Sequence, residues 1–327
     1  MDPIQIFSLP LTQIFSATTA AYVLCALGIA LQFGFTGLLN FGQAAFAAVG
    51  AYAYGIADLH LGLGAFGSLA FAIIGVIVFA FLLGIPTLRL RADYLAIVTI
   101  AASETFRLLM ISGQLGEWTG GTEGVDGIGK EYFAMNPIPQ GIYPVLGIPL
   151  TNRQLWSDLT GWTAVILCAI LMLVLTRSPW GRALKGIRED EDALKSLGKN
   201  TYLYKMQSLT IGGIFGALGG IVFSVDSQTV QPTVFGTNFT FMCWTLLLLG
   251  GAATVLGPIA GGMVFFMLFL FLRNFLQGLQ GAGFLPFITQ DQANQIPFVV
   301  MGAVLMLLVI FKPQGFFGNK KETQING

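Results

Sequence analysis

Apolar stretches of about 20 residues, the length an α-helix needs to cross a bilayer, recur along this 327-residue chain as far as Phe311. About nine can be read, at 16–35, 38–57, 65–86, 93–112, 160–177, 205–224, 238–254, 257–276 and 295–311. Charged residues are 10% of the chain, against roughly 25% in soluble domains, so most of it can lie in hydrocarbon. Without water, every backbone N–H and C=O must be satisfied within the fold, and the ten-residue alternation of a membrane β-barrel is missing. The expectation is an all-α, polytopic membrane helical bundle, one transmembrane domain over 1–327. The stretches at 38–57 and 238–254 are Gly-rich and short of bulky residues, which makes either a candidate broken or re-entrant segment.

The first fifteen residues lack a basic stretch, and no A-x-A-like site follows a short apolar core, so no cleavable signal peptide is expected. Cys25, Cys168 and Cys243 fall in separate apolar stretches and read as small buried thiols, with no metal or disulfide spacing.

Charge gives the orientation. Arg177 to Lys205 hold seven of the sixteen basic side chains, and a basic loop between spans belongs in the cytoplasm. Counting spans from a cytoplasmic 178–204 loop puts the 312–327 tail, with Lys312, Lys320 and Lys321, inside too. The short Arg89–Arg91 turn also falls inside. The 113–159 loop falls outside, where Lys130 and Arg153 are outnumbered by Glu117, Glu123, Asp126, Glu131 and Asp158. The N-terminus is then outside and the C-terminus inside. Trp118, Trp156, Trp162 and Trp180 lie near span ends, as an interfacial aromatic belt requires.

Within the basic loop, SPWGRALKGIREDEDALKSLG reads as one helix over 179–197. Ser178 caps it, Pro179 takes the first position and Gly198 stops it. Leu184, Ile187, Leu194 and Leu197 share one side, interrupted by Glu191. Arg182, Lys185, Arg188, Asp190 and Lys195 face the other way. Two readings stand at this point: a solvated connector, or a helix that docks in a groove of a cytoplasmic protein.

GRALKGIREDEDALKSLG resembles the cytoplasmic coupling segment of ABC importer permeases of the branched-chain amino acid (Liv) type. Further landmarks follow in that family's order. GFTGLLNFGQAAFAAVGAYAYG at 34–55 is similar to its early Gly/Ala-rich helix, and LRLRADYLAIVTIAASETFRLL at 88–109 to the next landmark. TGGTEGVDGI at 119–128 resembles its external Gly-rich turn, and LLLLGGAATVLGPIAGG at 246–262 its late helix pair. The resemblance is nearer to the second, LivM-like, permease subunit. Two features depart from it: Gln43 stands where members often carry His, and nothing beyond 265 is diagnostic.

The resemblance implies a non-enzymatic permease subunit for branched-chain or other hydrophobic amino acids, multi-pass in a prokaryotic cell (inner or plasma) membrane. It implies a homologous permease as heterodimer partner, two cytoplasmic ABC ATPases and an external substrate-binding protein, and no nucleic acid. No G-x-x-x-x-G-K-[ST] loop occurs, so no cofactor is expected in this chain, ATP and Mg being bound by the partner subunits. Arg182, Lys185, Arg188, Glu189 and Asp190 become the candidate coupling contacts.

Glu104 and Arg107 lie one helical turn apart inside a span, where charges usually face protein or water. They read either as a mutual pair fixing helix packing or as part of a translocation path. Asn40, Gln43, Thr99 and Ser103 must find hydrogen-bond partners in the membrane, as structural ties or along that same path. Asn238, Thr240 and Trp244 form a similar set. Gly212, Gly216 and Gly220 make small-xxx-small steps, as do Ala47, Ala51 and Gly55, and serve close helix packing. His60, beside Asp58, reads as an ordinary surface residue. A urea or short-amide importer is the alternative within the class. Outside it stand a self-sufficient channel or secondary carrier, against which the docking segment argues, and a non-transporting scaffold.

Overall fold

The computed structural model describes residues 10–90, 92–145, 148–281, 289–312 and 314–318, and their secondary structure is mostly α-helix. Lys320, Lys321 and Arg91, which entered the orientation argument, lie outside the described residues. Among the described residues, seven helices are long and apolar enough to cross a membrane. They match seven of the nine stretches read from sequence. The other two, 38–57 and 238–254, are the pair expected to be irregular, and they fold as helices of only 17 and 14 residues, Gln43–Leu59 and Thr237–Gly250.

In chain order the principal helices are α1 (Ala17–Ile29), α2 (Gln43–Leu59), α3 (Gly64–Thr87), α4 (Ala92–Ile111) and α5 (Asn152–Arg177). They continue with α6 (Pro179–Glu189), α7 (Glu191–Ser196), α8 (Thr201–Ser227), α9 (Thr237–Gly250), α10 (Leu256–Gly281) and α11 (Gln290–Phe311). The span expected at 160–177 starts earlier, at Asn152, because Thr151 and Gln154 form a reciprocal capping box ahead of a polar first turn. The 113–159 loop is therefore shorter than the sequence reading made it.

α1 is the centre of the bundle. Its run of Ala, Leu and Gly is almost wholly buried; α8 closes on it, and α2 closes on α8, through glycine faces. An added Cβ at Gly212 would meet Gly28 O at 2.7 Å, and one at Gly220 would meet Ala47 O at 2.0 Å. Helix backbones this close are what small residues permit in a membrane, where apolar burial gives no net drive. Around this centre, α3 and α5 reverse the pattern of a soluble helix. Ser68, Ala72, Val76 and Ala80 face inward at helical spacing, whereas Phe66, Ile74, Val78, Leu82 and Ile85 are exposed. Small residues inside and large apolar residues outside mark a lipid-facing perimeter.

The helix ends sort into two groups by contact. At one end the Ala17 N–H donates to Asp158 (2.7 Å), the Gly129 N–H donates to Asp58 (2.8 Å), and β1 (Val125–Asp126) pairs with β4 (Thr229–Val230). β2 (Ile142–Val145) and β3 (Ile148–Thr151) form a hairpin in the same loop. At the other end lie Gly34, Gly37, Leu88, α6, α7 and Lys205. Chain segment 314–318 also packs there, on Leu249–Gly251. Trp180 donates to Gln207 (2.8 Å) at this second end, while His60 and Trp118 stack at the first with centroids 5.1 Å apart.

Candidate functional site

The basic loop folds as two helices, not the single helix over 179–197 expected from sequence. Ser178 accepts from the Gly181 N–H and Pro179 opens α6, as read. Asp190, however, is extended (φ −155°, ψ 101°), and its carboxylate accepts from the Asp192 and Ala193 N–H groups to cap α7. An Asp with helix-starting acids behind it is a strong N-cap, and here it restarts the helix. Gly198, at φ +75°, ends α7 as anticipated. The break splits the apolar stripe: Leu184 and Ile187 are buried, Leu194 packs on Gly186, and Leu197 is exposed.

Of the five candidate coupling residues, Arg182, Glu189 and Asp190 are exposed. Lys185 reaches over the Phe35 ring at 5.7 Å. Arg188 turns inward, and its guanidinium donates to the Gly34 carbonyl. Gly34 lies in a π-helical turn, Ala30–Phe35, that ends α1; such turns free carbonyls and are frequent at functional sites. Gly37 follows at φ +77°, and a Cβ there would sit 3.1 Å from Arg188 Cγ, so both the backbone and the arginine stem require glycine. α6 is thus tied to the end of the most buried helix through Arg188 on Gly34 and Lys185 over Phe35.

Glu191 fastens the second helix. Its carboxylate accepts from Lys205 and from the Thr201 hydroxyl (3.0 Å) and pairs with Lys195 at 3.3 Å. Burial pulls this carboxyl up, but Lys205, Thr201 and Lys195 outweigh it and hold it below its ordinary value. A carboxyl lowered in the folded state contributes stability above its unfolded pKa, which is lost as pH falls through the folded one. The protection of amides over 191–200, after correction for the intrinsic pH dependence of exchange, is therefore expected to be flat from about pH 8 to 6 and to fall below roughly pH 4. An onset at neutral pH would contradict this clamp.

Between α1 and α2 the chain runs without regular structure over residues 36–42, and polar side chains replace the helical ladder. Asn40 donates to Gln32 (2.8 Å), and Gln32 donates to the Leu209 carbonyl (3.1 Å). Gln43 donates to the carbonyls of Gly212 (3.1 Å) and Cys25 (3.3 Å). The Phe41 N–H donates to Thr99, the Ala44 N–H to Thr240, and Trp244 Nε1 to the Asn40 carbonyl. Asn40, Gln43 and Thr99 are thus paired with protein and wholly buried, and Ser103 is buried one turn beyond Thr99. Gln32 was missed in the sequence, although a glutamine within an apolar span is itself a signal. Gln43→Leu leaves this buried set unpaired and is expected to destabilise by about 1–3 kcal/mol. A thermal melt of the variant in detergent that overlays the wild type would count against the network.

Glu104 lies elsewhere. Both of its oxygens accept from Arg107 Nε (3.0 and 3.1 Å), and Arg107 Nη2 adds a further bond. The pair borders a cavity of about 290 Å³ whose other walls are Thr233, Val234, Gly236, Thr237 and Asn238 at the start of α9. Of the sequence-read residues it joins Glu104, Arg107 and Asn238; Asn40, Gln43, Thr99 and Ser103 are not among its walls. A larger cavity, about 480 Å³, lies at the loop end between Tyr54, Phe66, Tyr132, Trp156 and Val225.

A buried small-residue centre, a lipid-facing perimeter and a two-helix loop tied to the core describe a membrane-embedded bundle. The sequence profile for "Branched-chain amino acid transport system / permease component" matches residues 12–309. This chain belongs to that family. The high-affinity branched-chain amino acid permease LivM of Escherichia coli K12 is 29% identical over 307 residues, 91% of this chain and 68% of LivM. A probable LivM of Methanocaldococcus jannaschii is 24% identical, with 91% of each chain covered. The guanosine ABC transporter permease NupQ of Bacillus subtilis is 29% identical over 58% of each chain. The LivM-like family resemblance read from the sequence is borne out, and with seven candidate spans the chain is a multi-pass membrane protein.

Proposed function

We propose that this chain is one of two permease subunits of an ATP-driven importer for branched-chain or similar hydrophobic amino acids. The observation that carries the reading is the family profile running through almost the whole chain, including the basic loop. Two ATPase subunits, holding ATP and Mg, dock on the exposed side of α6 through Arg182 and Glu189. Arg188 passes their movement to the π-turn of α1, Lys185 braces Phe35, and Asp190 sets the angle of α7. An external binding protein delivers substrate, and a homologous permease supplies the other half of the pore. The membrane is the inner or plasma membrane of a prokaryote.

The seven bases between Arg177 and Lys205 put α6 and α7 in the cytoplasm and the 113–151 loop outside. With the short α2 and α9 completed by residues 36–42 and 251–255, the chain then crosses nine times, from an outer N-terminus to an inner C-terminus. The substrate path runs along α4 and α9. A half-exposed Glu104–Arg107 pair inside a span is costly against lipid, about 2.5–3.5 kcal/mol per charge, so this face is the one the partner permease covers. Asn40, Gln43, Thr99 and Ser103 support that path from behind, holding α2 against α1, α4 and α8.

Reconstituted with its partners in proteoliposomes, binding protein outside and ATP within, the complex is expected to take up radiolabelled leucine. Uptake should require ATP and be competed by valine or isoleucine and not by urea. Uptake by this chain alone, indifferent to ATP, would replace the reading with a channel or carrier.

A further inference from the structure

We infer that the Glu104–Arg107 cavity is a recognition site, inside the permease, for the charged head of a free α-amino acid. This rests on reading the chain as an amino-acid importer subunit. The side chains of Glu104 and Arg107 keep 39% and 23% of their accessibility in this chain and border a 290 Å³ pocket on the face assigned to the partner permease, so the pair has room beside it for a small ligand. That volume is at the small-molecule end of ligand pockets, roughly 300 Å³ upward. The two charges lie one turn apart on one helix, so the cavity presents an acceptor for an ammonium beside a forked donor for a carboxylate.

The facing wall favours the carboxylate as well. α9 begins within the cavity, and its cap residue, Gly236, leaves the first-turn N–H groups without a side-chain acceptor. The positive end of this 14-residue helix and the Arg107 guanidinium then converge on one anionic group, with Thr237 and Asn238 beside them. Val234 lines the cavity and offers an apolar surface for the side chain. In the resting chain Glu104 and Arg107 neutralise each other. An entering zwitterion exchanges that contact for two, ammonium to Glu104 and carboxylate to Arg107, so the site is charge-balanced both empty and filled. A neutral amide such as urea cannot make the exchange.

The test uses the complete reconstituted complex with radiolabelled leucine. Glu104→Gln keeps shape and removes charge, Arg107→Gln removes charge and shortens the side chain, and each is expected to lower leucine uptake about ten-fold or more, as loss of a charge-assisted contact implies. Asn238→Ala, which leaves the ion pair intact, should raise the KM for uptake. The exchanged pair Glu104→Arg with Arg107→Glu preserves the ion pair but turns the site away from the start of α9, and uptake should stay low. Competition adds a readout that packing does not move: 3-methylbutylamine and 4-methylpentanoate, each carrying half of the zwitterion, should compete far more weakly than leucine. Restored uptake in the exchanged pair, or uptake within two-fold of wild type in both Gln variants, would overturn the site while leaving the importer in place. Absence of ATP-dependent uptake by the wild-type complex would overturn the importer reading and this site with it.

Discussion

Arg188→Glu is expected to leave the ATPases turning over on the complex while leucine uptake drops about ten-fold or more, the size of an ordinary coupling free energy between sites. The reason is the direction in which Arg188 points. Arg182 and Glu189 are exposed, so reversing them should weaken ATPase docking itself, seen as loss of co-purification. Arg188 is half-buried, bonded to the Gly34 carbonyl and resting on Gly37. A glutamate there removes the donor and sets a negative charge against a carbonyl, so α6 can still be pushed but no longer draws the end of α1 with it. Asp190→Ala should behave differently again. It removes the α7 cap, costing about 0.5–2 kcal/mol locally, and loosens the loop without reversing any charge at α1. Measuring ATP hydrolysis, uptake and co-purification together separates the three cases. Arg188→Glu with normal uptake would remove α6 from the transmission path.

A large effect on stability is expected at Gly220. An added Cβ there meets the Ala47 carbonyl oxygen at 2.0 Å and its carbon at 2.6 Å, both backbone atoms that no rotamer change can move. Gly220→Val therefore forces α8 away from α2 along their whole contact, and α8 also carries Gly212 against Gly28 and Gly216 against Gln43. Overpacking usually costs about 1–3 kcal/mol, and the upper end is expected because the clash is with a helix backbone. Gly302→Val on α11, where a Cβ meets nothing within 4 Å, is the matched control. Melting curves by size exclusion in detergent should show an early transition for Gly220→Val and a wild-type one for Gly302→Val. Equal curves would mean that the helices slide past each other at no cost.

The contrast between these residues shows what could be read from the letters. Gly212, Gly216 and Gly220 announce themselves by spacing, because a four-residue repeat of small residues in an apolar helix has one common use. The start and stop of the basic loop were equally legible, since Ser-Pro and Gly have local meanings. The middle of that loop was not. Asp190 can continue a helix or cap one, and only tertiary contacts, Glu191 reaching Lys205 and Thr201, decide for the cap. Spans with uninterrupted apolar runs were found at nearly their observed places. The π-turn after Ile29 left no trace, because its cause lies in partners far along the chain: Arg188 on Gly34 and Ser208 on Thr36. Likewise Glu104 and Asn238 could each be singled out, but nothing in the sequence joined them across one cavity.

One modest feature bears on how such a chain is made. The carbonyls of Leu249 and Gly250, at the end of the short α9, accept hydrogen bonds from the Phe316 and Phe317 N–H groups at 3.0 and 2.9 Å. α10 and α11 lie between donor and acceptor in the chain. During synthesis, α9 therefore leaves the ribosome with bare carbonyls and waits for two further helices to be threaded into the bilayer before its end is closed. A chain halted just after α11 would lack the two donors that close the end of α9, so the segment following α11 completes a helix laid down much earlier.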